Sequence, residues 1–267
     1  MFEFQLLFHK VRLEKTAIST RVRQLTFQAW RAAVFYCVCA AVVISLGAVS
    51  SPVHAISGGT SSTQPWVVQV IGYKEGRPYV CSGSMLSSYM ILTANHCAAQ
   101  RVIFADGTMI DTAGFYPVKQ SDIKVLLIKD EYKLKEYATL GPNYIDSKNP
   151  VPAGTRATVY GYDGGGLQTA QKKLTVVVEN HGLVESVAGE RAQETFYVSA
   201  HSGGIQVGDS GGPLVINGLL VGVITQVGVH PADNRPMGVI SGLSPVFSVI
   251  EQVEKYRKAR AFISSEL

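Results

Sequence analysis

Gly208-Asp209-Ser210-Gly211-Gly212-Pro213 sets one hydroxyl between an acidic residue and paired glycines, where backbone amides can close around it. A serine hydroxyl is a weak nucleophile at neutral pH, so the run carries chemistry only if the chain also supplies a base and a group that orients the base. Two stretches upstream offer both. Ile91-Leu92-Thr93-Ala94-Asn95-His96-Cys97 takes an apolar strand into small residues and then presents an imidazole. Asp122 opens Asp122-Ile123-Lys124-Val125-Leu126-Leu127-Ile128, placing a carboxylate ahead of a run whose apolar character implies burial. Asp106 and Asp111 compete for the third role. Asp106-Gly107 reads as a turn, however, and no buried strand follows Asp111, which favours Asp122.

Around these stretches the chain is built of short apolar or alternating runs divided by Gly, Pro, Asn and Asp: Trp66 to Gly72, Met90 to Ala94, Lys124 to Lys129, Ala157 to Tyr160, Leu174 to Glu179 and Leu219 to Val227. Strands at that spacing predict an all-β fold, an antiparallel barrel or sandwich. The segment Gly141 to Gly154, with Pro142, Asn149-Pro150 and Pro152, reads as the connection between two halves. One helix is expected over about 245–258: Ser244 can cap it, Pro245 suits a first helical position, and Val246, Val249, Ile250 and Val253 recur at helical spacing.

At 267 residues, with 46% hydrophobic and 16% charged side chains, the chain can bury a substantial core. Residues 1–55 differ from the rest. Lys10, Arg12, Lys15, Arg21, Arg23 and Arg31 precede the apolar run Ala32 to Val49, and Ser51-Pro52-Val53-His54-Ala55 follows, the plan of a secretory signal cut after Ala55. An uncleaved membrane anchor through 32–49 is the alternative. The formal charge of +4 belongs wholly to this leader, which holds six Lys/Arg and two Asp/Glu; subtracting these from 24 and 20 leaves 18 of each beyond it. No basic excess remains to attract nucleic acid. Cys37 and Cys39 also lie in the leader, so the exported part keeps Cys81 and Cys97, an even pair that predicts a disulfide rather than free thiols. Closing that loop is worth roughly 3 kcal/mol in the chain-entropy model.

Taken in order, His96, Asp122 and Ser210 with their local contexts resemble the chymotrypsin-like (trypsin-like) serine protease family, over essentially all of 56–267. Ile56-Ser57-Gly58-Gly59 is similar to that family's mature N-terminus, and Cys81-Ser82-Gly83-Ser84-Met85-Leu86 to the strand before its histidine. Gly161-Tyr162 is similar to the start of its second barrel, and Gly238-Val239-Ile240 with the terminal helix completes the order. The resemblance implies two antiparallel six-stranded β-barrels, about 56–145 and 155–243, followed by the C-terminal helix. It also implies a secreted endopeptidase acting on protein or peptide substrates, without cofactor or metal, favoured as a monomer and meeting the membrane only during export. The rival readings are a non-catalytic binding module on the same fold and a membrane-tethered protease.

On that resemblance His96 is the general base, Asp122 its orienting carboxylate and Ser210 the nucleophile, with the amides of Gly208 and Ser210 as the oxyanion hole. Asp209 would pair with the amine of Ile56, freed when the leader is cut. Gly204 stands where trypsin-type members carry a specificity aspartate, so the substrate pocket of Gly204, Thr225, Val227 and Gly238 is expected to be uncharged, narrowed by Val227 and open beside Gly238. Ile224 stands where glutamate-specific relatives carry a histidine, and Gln206 replaces a family cysteine beside the serine. His181 and His201 lie at a spacing that fits no zinc motif.

Overall fold

The computed structural model describes residues 56–265, apart from 143, 145–149, 163–166, 168–169, 185–192 and 231; the side chains of 74, 184 and 260–265 are likewise not described. The expected leader and its anchor alternative lie outside the described residues, as do residues 143 and 145–149 of the expected connection between the halves.

Apolar runs that read as strands do form strands. In the first half, β1 (Thr60–Ser61) is followed by β2 (Val67–Lys74), β3 (Arg77–Met85), β4 (Met90–Ala94), β5 (Arg101–Ile103), β6 (Met109–Pro117) and β7 (Ile123–Ile128). Strands β2-β3-β4-β7-β6-β5 close into a six-stranded antiparallel barrel, the last pairing joining β5 to β2. The second half holds β8 (Arg156–Tyr162), β9 (Gln171–Val184), β10 (Gln193–Ser199), β11 (Pro213–Ile216), β12 (Leu219–Val229) and β13 (Pro236–Gly242). Their order β9-β10-β13-β12-β11-β8 also closes, because β8 pairs back with β9, and β1 adds to the outer side of β9. Among the described residues, closure of both sheets leaves no long unpaired edge in either half.

Each barrel is filled by the inward residues of its strands. The first core gathers Val68, Val70, Ile91, Leu92, Val125 and Leu126, and the second Val159, Val176, Phe196, Val198, Leu214 and Ile240, all fully or almost fully buried. Ile56 belongs to the second core although it precedes the first barrel, and it is 0% exposed.

Helix α1 spans Val246–Ser265 and so runs past the expected end near 258. No Pro or Gly lies in that extension to stop it. Its buried Val246 and Val253 join the first barrel's core, which brings the C-terminus back across the molecule. Arg257 seals this contact, with its guanidinium 3.7 Å from the centre of the Tyr89 ring and an ion pair to Glu131.

Candidate active site

Strands β4 and β7 are paired neighbours, Ala94 opposite Ile123, so the turn leaving β4 and the residue entering β7 stand side by side. That register brings His96 and Asp122 together. The His96 Nδ1–H donates to Asp122 Oδ2 at 2.6 Å, and the His96 backbone N–H donates to Oδ1 at 3.0 Å. Because a carboxylate only accepts, the short bond puts the ring proton on Nδ1 and leaves Nε2 as the basic nitrogen. The Asn95 amide also donates to the Asp122 carbonyl at 3.0 Å. The two rival carboxylates are engaged elsewhere. Asp106 accepts from the Thr108 amide and the Tyr132 hydroxyl, and the Thr108 bond in particular holds its carboxyl below the usual range. Asp111 pairs with Arg101 at 2.9 Å and with Lys129, and its carboxyl is likewise held low, chiefly by the bond from Arg101.

Ser210 lies in the turn that enters β11. Gly208 and Gly211 adopt φ of +103° and +84°, a region costly for residues with side chains, so the run of small residues lets the chain bend sharply on both sides of the hydroxyl. Ser82 of the first barrel fixes this turn. Its N–H donates to the Ser210 carbonyl at 2.8 Å, its hydroxyl donates to the Gly208 carbonyl at 3.2 Å, and it accepts from the Tyr162 amide at 2.9 Å. The sequence reading passed over Ser82. It is a small polar residue, fully buried in the structure, in the Cys81-Ser82-Gly83-Ser84 part of β3.

The Cys81–Cys97 disulfide forms and lies beneath the histidine. Its two sulfurs and a ring nitrogen of His96 fall within 4.8 Å of one another, but sulfurs joined as cystine have no thiolate to offer a cation.

Asp209 is 0% exposed. Its Oδ2 accepts from the Ile56 nitrogen at 3.1 Å and from the Gln206 amide at 2.8 Å. The space for this carboxylate exists because residue 161 is glycine; a Cβ there would stand 2.2 Å from Asp209 Oδ1. Ser57 continues the same docking, exchanging two backbone bonds of 3.0 Å with Gly204.

Of the expected pocket residues, Val227 and Gly238 are cross-strand partners, with Gly204 nearby in the same half of the molecule. Gly238 does not leave an open wall. Ile205 fills that side, its Cδ1 2.3 Å from where a Cβ on Gly238 would stand, while Pro236 covers Gly204 in the same way at 2.9 Å. Thr225 is buried and turns its hydroxyl to the Val239 carbonyl at 3.2 Å. Ile205 and Pro236, which pack against these two glycines, carry no local signal in the sequence. His201 is exposed. The His181 side chain is buried, accepting from the Val151 amide at Nδ1 and donating from Nε2 to Glu194 at 3.1 Å while its ring stacks on Phe196.

The family model for trypsin matches residues 56–250. The chain belongs to the trypsin family. Among curated relatives it is similar to trypsin iota of Drosophila melanogaster, at 26% identity over 79% of this chain and 94% of that protein. It is also similar to an uncharacterized peptidase of Corynebacterium glutamicum, at 27% identity over 78% and 75%. Among solved structures, the scabies mite inactivated protease paralogue S-I1 superposes with a TM-score of 0.58 at 21% identity, covering 74% of this chain and 99% of that one. The active form of the Rv3671c protease from M. tuberculosis gives 0.54 at 19% identity, over 70% and 79%. These likenesses agree with the two closed barrels and terminal helix.

Proposed function

We propose that this trypsin-family protein is a secreted serine endopeptidase in which Ser210 attacks the peptide bond, His96 moves the proton and Asp122 holds the imidazole. The observation that carries the reading is the 2.6 Å bond from His96 Nδ1 to Asp122, which leaves Nε2 free to act as a base. As Ser210 Oγ bonds to the scissile carbonyl carbon, its proton passes to Nε2. The imidazolium then gives that proton to the leaving nitrogen as the C–N bond breaks, and a water repeats the sequence to release the acyl group. Asp122 stabilises the imidazolium between these steps, a role worth about 10⁴ in kcat in the family's type case.

The amides of Gly208 and Ser210 serve as the oxyanion donors, each worth on the order of 10² to 10³ in rate. Asp209 holds that loop by engaging the Ile56 nitrogen. A cut after Ala55 makes the nitrogen an ammonium and strengthens the bond. It also removes a strain: Ile56 is β-branched at φ +37°, costly while a carbonyl precedes it and free of that cost once the carbonyl is gone. Export itself would thus activate the enzyme.

On this reading the substrate pocket is bounded by Gly204, Thr225, Val227 and Gly238, with Ile205 and Pro236 against the two glycines; none of these side chains is charged, which suits a small or medium apolar residue before the scissile bond. Secreted protein from an expressing host, assayed on peptide substrates with alanine, valine, leucine or lysine at that position, tests the reading. Hydrolysis of the apolar set, abolished by Ser210→Ala, is expected. Preference for lysine would refute the pocket assignment, and activity surviving Ser210→Ala would refute the site.

A further inference from the structure

Lys124 is the second residue of β7, in a run otherwise composed of Ile, Val and Leu, and it is 4% exposed. Its Nζ donates to the Asn95 carbonyl at 3.2 Å and to the Cys97 carbonyl, the residues on either side of His96. The Phe115 ring lies 5.1 Å from Nζ and covers its outer side. Burying an amine in a strand is unfavourable unless its donors are used, and here two are spent on one turn. Burial pushes the Lys124 pKa down, with Asp122 opposing that shift.

The consequence lies in the peptide unit that joins Asn95 to His96. Its carbonyl is held by Lys124 and its N–H by Asp122 Oδ1, so both polar atoms of one plane are fixed by side chains two residues apart at the start of one strand. A peptide plane held at both ends sets the direction in which the His96 side chain leaves the backbone. We infer that Lys124 is a positioning residue for the general base, clamping the Asn95–His96–Cys97 turn from below so that the imidazole keeps its alignment between Asp122 and Ser210. This inference rests on the protease reading for its kinetic consequence, though not for its geometric one.

Lys124→Met keeps an unbranched chain of similar bulk under Phe115 but removes the donor. With rates expressed per active site titrated at Ser210, kcat is expected to fall about 10- to 100-fold, as for a small misplacement of a catalytic group, with KM within about twofold. Lys124→Arg, which restores cationic donors, should recover most of the loss. In proton NMR of the full chain, the deshielded Nδ1 proton of His96 should shift or broaden in Lys124→Met and return in Lys124→Arg. A Lys124→Met protein with kcat within about threefold of the parent and an unmoved proton overturns the inference. If Lys124→Met does not fold, Lys124→Gln is read by the same criteria; failure of both to fold while Lys124→Arg folds makes Lys124 a stabiliser of the barrel and also overturns it. If the parent chain itself neither cleaves peptides nor labels at Ser210, the protease reading fails, and the NMR comparison still decides the role of Lys124.

Discussion

Gly211→Ala probes the place where the nucleophile's turn meets the first barrel. Gly211 has φ +84°, and its N–H donates to the Ile224 carbonyl at 2.7 Å. A Cβ there would stand 2.1 Å from the Ser82 carbonyl oxygen and 2.2 Å from Thr93 Oγ1, against an ordinary contact of 3.4 Å or more. The turn would have to retreat by about 1 Å, because the obstructing atoms belong to strands paired on both sides. Retreat lengthens the bond from the Ser82 amide to the Ser210 carbonyl and the one from Gly211 to Ile224, at roughly 0.5–1.5 kcal/mol each. The left-handed backbone adds about 1–2 kcal/mol for a residue with a side chain. The sum is about 2–5 kcal/mol, which lowers Tm by roughly 4–20 °C for a domain of this size. A shift of that size at the nucleophile also costs on the order of 10² in kcat.

Gly218→Ala is the control, since Gly218 has φ +81° and no atom within 4 Å of its would-be Cβ. It should show the backbone cost alone, about 1–2 kcal/mol, with kcat unchanged. Calorimetry and turnover of an ester substrate would read both variants. Equal losses of Tm in the two, with kcat intact in Gly211→Ala, would refute the reasoning, because they would mean that the close approach to Ser82 does not constrain the turn.

Asp209→Asn should leave the freed Ile56 amine buried without a counter-charge, a loss of about 3–5 kcal/mol from the active arrangement, and kcat/KM should fall by two orders of magnitude or more; adding one residue before Ile56 should act in the same direction. Glu194→Ala removes the acceptor for both His181 Nε2 and the Ser244 amide at 2.9 Å, and should cost about 2–4 kcal/mol in denaturant unfolding with little change in kcat. Val227→Gly opens the wall opposite Gly238 and should move preference toward larger apolar residues by roughly tenfold in relative kcat/KM, measured on matched peptides.

The parts legible in the sequence were those with a local signal. Met90–Ala94 and Ile123–Ile128 are mostly apolar runs, interrupted by Thr93 in one and Lys124 in the other, and the structure has strands at both places. Met109–Pro117 was not read as a strand, because its residues are half-buried or exposed along most of their length and Gly114 interrupts the pattern. Strand β9 runs past Glu179 for a related reason: it continues on backbone pairing with β10 through Asn180-His181-Gly182, where the apolar pattern lapses. At the site, the types and order of His96, Asp122 and Ser210 could be read, but what holds them could not. Ser82 reaches Ser210 across 128 positions, and the clamp on His96 comes from a lysine that looks out of place in its strand. The filling of the space beside Gly238 by Ile205 is likewise a matter of how a loop packs on strand β13, with no counterpart in local pattern.

If Ser210 is the activated nucleophile of a peptidase, it should react with reagents that trap such serines. Treatment of purified, processed protein with a sulfonyl fluoride or an organophosphate, followed by peptide mass spectrometry, tests it most directly. One adduct is expected, on Ser210, formed in step with loss of hydrolysis and absent after His96→Ala. Correctly processed protein that remains unlabelled at Ser210, or that loses activity through a label elsewhere, would contradict it.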